Sequence, residues 1–180
     1  MNIASAFQTR QECLLTQKNT LEPLFSMEAF PVFIGCTEQD PSKDLRADMD
    51  FDICTETGFI QLRNLLDPDL IYSEYHSEAI GKTWQNHHES FIEFVAKYDL
   101  KNVPEIGGSN AVMARMYIEK KPDASWTIVE PNPAFEGNEN IKMVKAFFDD
   151  KLTLDIPIDG IVHSHVLEHL YDPLNTLEHI

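Results

Sequence analysis

The chain is short of positive charge, cysteine, glycine and long apolar runs, and each shortage excludes a class of function. Fourteen Lys and Arg stand against thirty Asp and Glu, a formal net charge of -16 over 180 residues. A surface of that sign repels phosphate backbones and anionic lipid, which argues against a nucleic-acid or membrane partner and for a small-molecule one. No stretch approaches the roughly 20 apolar residues of a membrane-spanning helix. Met1-Asn2-Ile3-Ala4-Ser5 shows no basic segment leading into the apolar core of a secretory leader. Cys13, Cys36 and Cys54 are too few and too scattered for a disulfide framework, so a reducing, cytoplasmic location is expected. Among the seven glycines there is no Gly-x-Gly-x-x-Gly spacing, which counts against a nicotinamide-dependent oxidoreductase.

With 43% hydrophobic residues the chain can bury a core in one domain, or in one domain with a small appendage. Its pattern divides into three segments. Residues 1–66 hold short extended runs such as Ala29-Phe30-Pro31-Val32-Phe33-Ile34-Gly35 and Gly58-Phe59-Ile60-Gln61-Leu62 between polar turns, the pattern of a small β-rich lobe. Residues 67–100 form a helical connector, with Phe91, Phe94, Val95 and Tyr98 at helical spacing predicting one long helix over 78–98. Residues 101–180 alternate strand and helix: strands at 103–106, 125–130, 141–148 and 158–164, and a helix at 111–120. Such alternation predicts an α/β fold, a Rossmann-like parallel sheet with crossover helices, whose ligands bind beyond the carboxyl ends of the strands.

Three signals fall at those ends. Val103-Pro104-Glu105-Ile106-Gly107-Gly108-Ser109-Asn110-Ala111 places a Gly pair after an acidic residue, where a tight turn lets the backbone approach a ligand closely. Glu130 closes the next apolar run, about 20 to 25 residues on, in position to accept hydrogen bonds from ribose hydroxyls. His165-Val166-Leu167-Glu168-His169 closes a third run. A Gly-Gly turn alone is weak; the three in series are much stronger.

On these residues the second half resembles the class I S-adenosylmethionine-dependent methyltransferases, and within them the sugar C-methyltransferase-like group acting on nucleotide-linked sugars. The resemblance implies S-adenosylmethionine as cofactor and a carbohydrate or related small acceptor as substrate. It implies that Glu105, Gly107, Gly108, Asn110, Glu130 and His165 contribute to the cofactor site. Asn110 stands where the family often has Asp and Ala111 where it often has Gly, so the turn keeps its shape only if position 111 avoids a positive φ. The family's domain has seven strands and about four are visible, so the chain is expected to hold the first part of such a domain and to expose a sheet edge to self-association.

The same resemblance implies an N-terminal lobe with two Cys-x-x-Cys pairs holding structural zinc. Here they read Cys13-Leu14-Leu15-Thr16 and Cys54-Thr55-Glu56-Thr57, so a four-thiolate site cannot form and no zinc is expected, although two thiols with a further ligand, Cys36 included, stay open. Lobe packing without metal is the expectation.

Methyl transfer needs alignment of donor and acceptor and, for a weakly acidic carbon or hydroxyl, a base. His169 is the leading candidate base, because imidazole titrates near neutrality; packing against the cofactor or capping a helix is the alternative role. Glu168 could orient an imidazole or start the next helix. Tyr75, in Tyr72-Ser73-Glu74-Tyr75-His76-Ser77, matches the family's tyrosine-rich segment and is the second candidate catalytic residue; packing is the plainer role. His163 and His165 would share a strand face, but without an obvious third ligand a structural role is expected. His87 and His88 diverge by about 100° on a helix and are not expected to share a ligand. Asp149-Asp150 suits an adenine contact or a solvated turn, and Arg115, Lys120 and Lys121 suit a local phosphate patch or a solvated helix surface. A non-catalytic, cofactor-binding remnant or interaction module of the same fold is the rival reading, supported by the missing thiols, Asn110 and Ala111.

Overall fold

A computed structural model describes residues 5–33, 40–73 and 81–180. The chain divides into two compact units, Met1–Ser77 and Glu78–Ile180.

Among the described residues the first unit has five strands: β1 (Gln8–Thr9), β2 (Leu21–Pro31), β3 (Arg46–Cys54), β4 (Ile60–Leu62) and β5 (Asn64–Leu65). β2, β3 and β4 form an antiparallel sheet in that order, and β1 pairs with β5. The pairing of β2 with β3 is irregular between Pro23 and Phe25 and between Met27 and Phe30. Proline has no N–H for the ladder at Pro23, and Ala29 takes a positive φ of 49°, so the strand bends at both places. Few apolar side chains are buried here, and polar groups take up part of the interior. Asp52 accepts a fork of hydrogen bonds from the Arg63 guanidinium, and Asn64 Nδ2 donates to Asp50 at 2.8 Å. Helix α1 (Pro68–Ile71) follows, capped by the Asp67 carboxylate accepting from the N–H of Asp69 at 2.9 Å.

The second unit is mixed α/β. Helix α2 (Lys82–Val95), extended by a 3₁₀ turn at Ala96–Tyr98, precedes β6 (Asn102–Ile106), α3 (Val112–Lys120), β7 (Ser125–Val129), β8 (Ile141–Val144), β9 (Val162–His163) and α4 (Pro173–His179). All strand pairs are parallel and the sheet order is β8-β7-β6-β9, with β8 and β9 at the edges. Two successive strands step one way from β6 and the next is laid on its other side, an order compatible with a Rossmann-like arrangement and its switch point beside the first strand.

The register places Val103, Glu105, Trp126, Ile128, Ile141 and Val162 on one sheet face, because side chains alternate along a strand. α2 and α3 supply Ile92, Val95, Met113, Ala114 and Tyr117 to the same core. The buried stripe of α2 is therefore Ile92 and Val95, while Phe94 and Tyr98 lie exposed and pack on each other at 5.4 Å. Trp126 is its largest wholly buried side chain, with its ring 4.9 Å from that of Tyr117, whose hydroxyl donates to the Leu100 carbonyl at 2.8 Å. The run expected as a strand over 158–164 is a strand only at Val162–His163. Before it, the Asp159 carboxylate accepts from the backbone N–H groups of Lys101 and Asn102 at 2.9 and 2.8 Å and ties the approach to the start of β6. The run expected over 141–148 ends at Val144.

Candidate functional site

The three sequence signals of the second unit meet at the carboxyl ends of β6, β7 and β9. The turn after β6 is forced by contact. Gly107 has a φ of 75°, and a Cβ there would sit 2.6 Å from the Val166 side chain in the loop after β9. A Cβ on Gly108 would meet Ile128 at 2.7 Å and the Glu105 carboxyl at 2.8 Å. Two glycines thus let the turn lie down on β7 and against the β9 loop. Ala111, at the start of α3, does take the positive φ that the sequence left in question, 61°, and Ser109 takes 36°. A left-handed alanine costs about 1–2 kcal/mol; its methyl, wholly buried in the core, offsets part of this. Asn110 is half-buried in the same turn.

The two acidic residues have different surroundings. Glu105 lies beneath the turn, 1% exposed, and accepts from the Trp126 indole N–H at 2.7 Å. Burial, reinforced by the Glu130 charge and opposed by that hydrogen bond, pushes its carboxyl up to about 7. It supports the turn from below, on the helix-covered face. Glu130 is at the rim, 8% exposed, with Oε2 accepting from the N–H of Ser109 at 3.3 Å and Oε1 from that of Asn132 at 3.0 Å. Each oxygen keeps a lone pair that can accept a hydroxyl. The first and second signals are joined by the Ser109 bond, and the first and third by the Gly107–Val166 contact.

The loop after β9 carries the histidines. β9 ends at His163, and His165 has a φ of 55°, so the two do not share a strand face. His165 Nδ1 lies 3.4 Å from the Glu168 carboxylate, and its ring packs edge-on against Trp84 at 4.7 Å and His87 at 5.1 Å. His169 closes a 3₁₀ turn, Leu167–His169, with its side chain exposed. Tyr75 and Cys36 lie outside the described residues.

A cluster that the sequence did not announce stands over this loop. Trp84, His87, His88 and Phe91 line one side of α2, and His87 Nε2 shares a 2.8 Å hydrogen bond with Ser164 Oγ. His87 and His88 diverge on the helix, yet their rings approach to 5.6 Å and both touch Trp84. Burial first, then the neighbouring His87 and His165, hold His88 below the ordinary imidazole range. The only signal for the cluster in the sequence is the spacing Trp84-x-x-His87, one helical turn, which is equally common in cores. Among the described residues no group of three or more His, Cys, Asp or Glu side chains is arranged to hold a metal ion, and no helix there is long and apolar enough to cross a membrane.

Other candidates are engaged elsewhere. Asp149 Oδ1 accepts from the N–H of Lys151 at 3.0 Å, a local turn. Arg115 lies over the Phe135 ring at 5.6 Å, and Lys121 pairs with Asp99 at 2.6 Å. An open cleft of about 540 Å³, lined by Thr127, Lys142, Val144 and residues 152–156, occupies the other sheet face and includes neither the Gly turn nor Glu130. No protein-family model and no curated protein matches this chain.

Proposed function

We propose that this chain binds S-adenosylmethionine at the β6–β7 end and serves methyl transfer to a carbohydrate, such as a nucleotide-linked sugar, or a related small acceptor. The observation that carries the reading is the joined turn: Gly107 and Gly108 pressed between β7 and the β9 loop, with Glu130 at its rim, beside the switch point of a β8-β7-β6-β9 sheet. The residues fit such a cofactor. Glu130 has lone pairs for ribose hydroxyls, the Gly pair admits a close backbone approach, and Asn110 in the turn and His165 in the loop after β9 belong to the same proposed site. When bound, the cofactor supplies an electrophilic methyl group on a sulfonium.

The chain's own groups do the rest. His169, exposed in the third loop, takes the acceptor proton, and the hydrogen-bonded His87–Ser164 pair is a second group able to hold a proton. The test is a calorimetric titration with S-adenosylhomocysteine, with Glu130→Ala as control. Saturable binding, weakened about tenfold by Glu130→Ala, is expected, since one charge-assisted hydrogen-bond partner is lost. Absence of binding to a folded chain overturns the reading.

A second reading, cofactor binding without transfer, is favoured by one observation: no hydrogen bond orients the exposed His169 ring among the described residues. Binding of S-adenosylhomocysteine together with no methylated product across a panel of sugar acceptors would select it.

A further inference from the structure

The first unit holds two matching turns. Cys13-Leu14-Leu15-Thr16-Gln17 and Cys54-Thr55-Glu56-Thr57-Gly58 each begin with a cysteine whose carbonyl accepts from the N–H four residues on, at 2.8 Å in both. Each ends on a residue with positive φ, 54° at Gln17 and 73° at Gly58. Such a turn bends the backbone around its first side chain, so each cysteine points inward; both are 1% exposed free thiols.

The two turns are clamped to one another. Gln61, 5% exposed, grips the backbone on both sides of Cys13: its oxygen accepts from the N–H of Leu14 at 2.9 Å and its amide donates to the Glu12 carbonyl at 3.0 Å. Thr20 bridges the sulfur side. Its hydroxyl lies 3.2 Å from Cys54 Sγ and 3.4 Å from the Thr16 hydroxyl, and its carbonyl accepts from the N–H of Thr55 at 2.9 Å. Lys18 and Glu56 close the outside at 3.0 Å. Thr20 thereby holds the two buried thiols in one clamped group, and its hydroxyl, then that of Thr57, then Cys13, hold the Cys54 thiol down at about 6. A thiol so held is largely thiolate at neutral pH, the reactive form.

We propose that Cys13 and Cys54 form a redox dithiol, closed to an intramolecular disulfide by a small peroxide. The Cys54 thiolate attacks one peroxide oxygen, the O–O bond breaks and, after protonation, water leaves a sulfenic acid. The Cys13 sulfur then attacks the Cys54 sulfur, forming the S–S bond and releasing the second water. Two thiol protons and two electrons reduce one hydrogen peroxide to two waters. The Thr16 and Thr57 hydroxyls are weak metal ligands beside two thiols, and the burial of both sulfurs favours a small neutral oxidant over a protein partner.

The full chain with Cys36→Ser is treated with hydrogen peroxide, quenched by alkylation under denaturing conditions, and mapped by mass spectrometry. A Cys13–Cys54 linked peptide, lost on thiol reduction, is expected, together with a rise in the midpoint of thermal unfolding, because the link closes a long loop of the unfolded chain. Thr20→Val, which keeps the shape and removes the hydroxyl, should slow closure several-fold at pH 7 without preventing folding, as judged by circular dichroism. Cys13 and Cys54 alkylated as separate thiols after peroxide, Cys54 carried to sulfinic acid without a link, or a metal retained through gel filtration and released by a chelator, would each overturn the proposal.

Discussion

The two units solve the same problem, filling an interior, by different means. The second buries a continuous apolar cluster around Trp126, Tyr117, Ile128 and Ile92, with the Glu105 carboxyl sunk beside it. In the first, the buried apolar side chains among the described residues are Cys13, Ala47, Cys54 and Leu65, and order comes from polar clamps: Arg63 on Asp52, Gln61 around Cys13, Thr20 between the turns. An apolar core is non-directional and tolerant of small shifts, whereas a hydrogen-bonded interior fixes geometry and penalises any missing partner. The first unit should therefore be the more specific in shape and the less stable.

The sharpest test of the contrast is Trp126→Ala. It empties the largest site of the apolar core and strips Glu105 of its donor, so a loss of about 3–5 kcal/mol is expected. In calorimetry the transition of the second unit should move and that of the first should stay; a common shift would break the comparison.

Glu105→Gln tests the most deeply buried carboxyl among that unit's described residues. The unfolded chain releases this proton above about 4.5, while the folded chain keeps it until about 7. The folded state thus binds the extra proton between those values, and stability falls as pH rises through them and remains low above. Glutamine is neutral throughout and still accepts from Trp126. The variant should gain about 2–3 kcal/mol at pH 8 and almost nothing at pH 4, measured by denaturant unfolding.

Asp52→Ala is the counterpart in the first unit. It leaves the Arg63 guanidinium without its buried carboxylate. Because Arg63 retains 32% of its exposure, the loss should be about 2 kcal/mol, below that of a fully buried pair. The smallest effect belongs to His88. Its folded form resists protonation, so the unfolded chain binds more protons below about 6.5 and stability is lost as pH falls through that value. His88→Gln should flatten the acid side of the stability profile, opposite in sign to the Glu105 effect and seen in the same unfolding series.

Much of the second unit was legible because its signals are local. Periodicity located β6, α3 and β7 to within about one residue, since a buried strand and an amphipathic helix write their period into the chain. The strand at 158–164 shrank to Val162–His163 because only Glu105 and Ile106 of β6 pair with it. An apolar run states burial, not partners. His165 left its expected strand face through a left-handed φ that composition does not encode. The grouping of Trp84, His87, Ser164 and His165 was invisible for a simpler reason: its members are up to 81 residues apart, and only the packing of α2 beside the end of β9 brings them together.

By itself, the sequence determined the acidic surface, the alternation that makes a parallel sheet, and the order in which Glu105, the Gly pair, Glu130 and the histidine loop meet the ends of its strands. These follow from side-chain period, glycine's missing Cβ and net charge, all readable one neighbourhood at a time. Tertiary structure alone decided that Glu105 is sunk under the turn while Glu130 stands at its rim, that Ala111 is held left-handed, and that the turns of Cys13 and Cys54 are clamped to one another. Those outcomes depend on what packs against each group from elsewhere in the chain, and burial and proximity, rather than residue type, set the acidity of Glu105, His88 and Cys54.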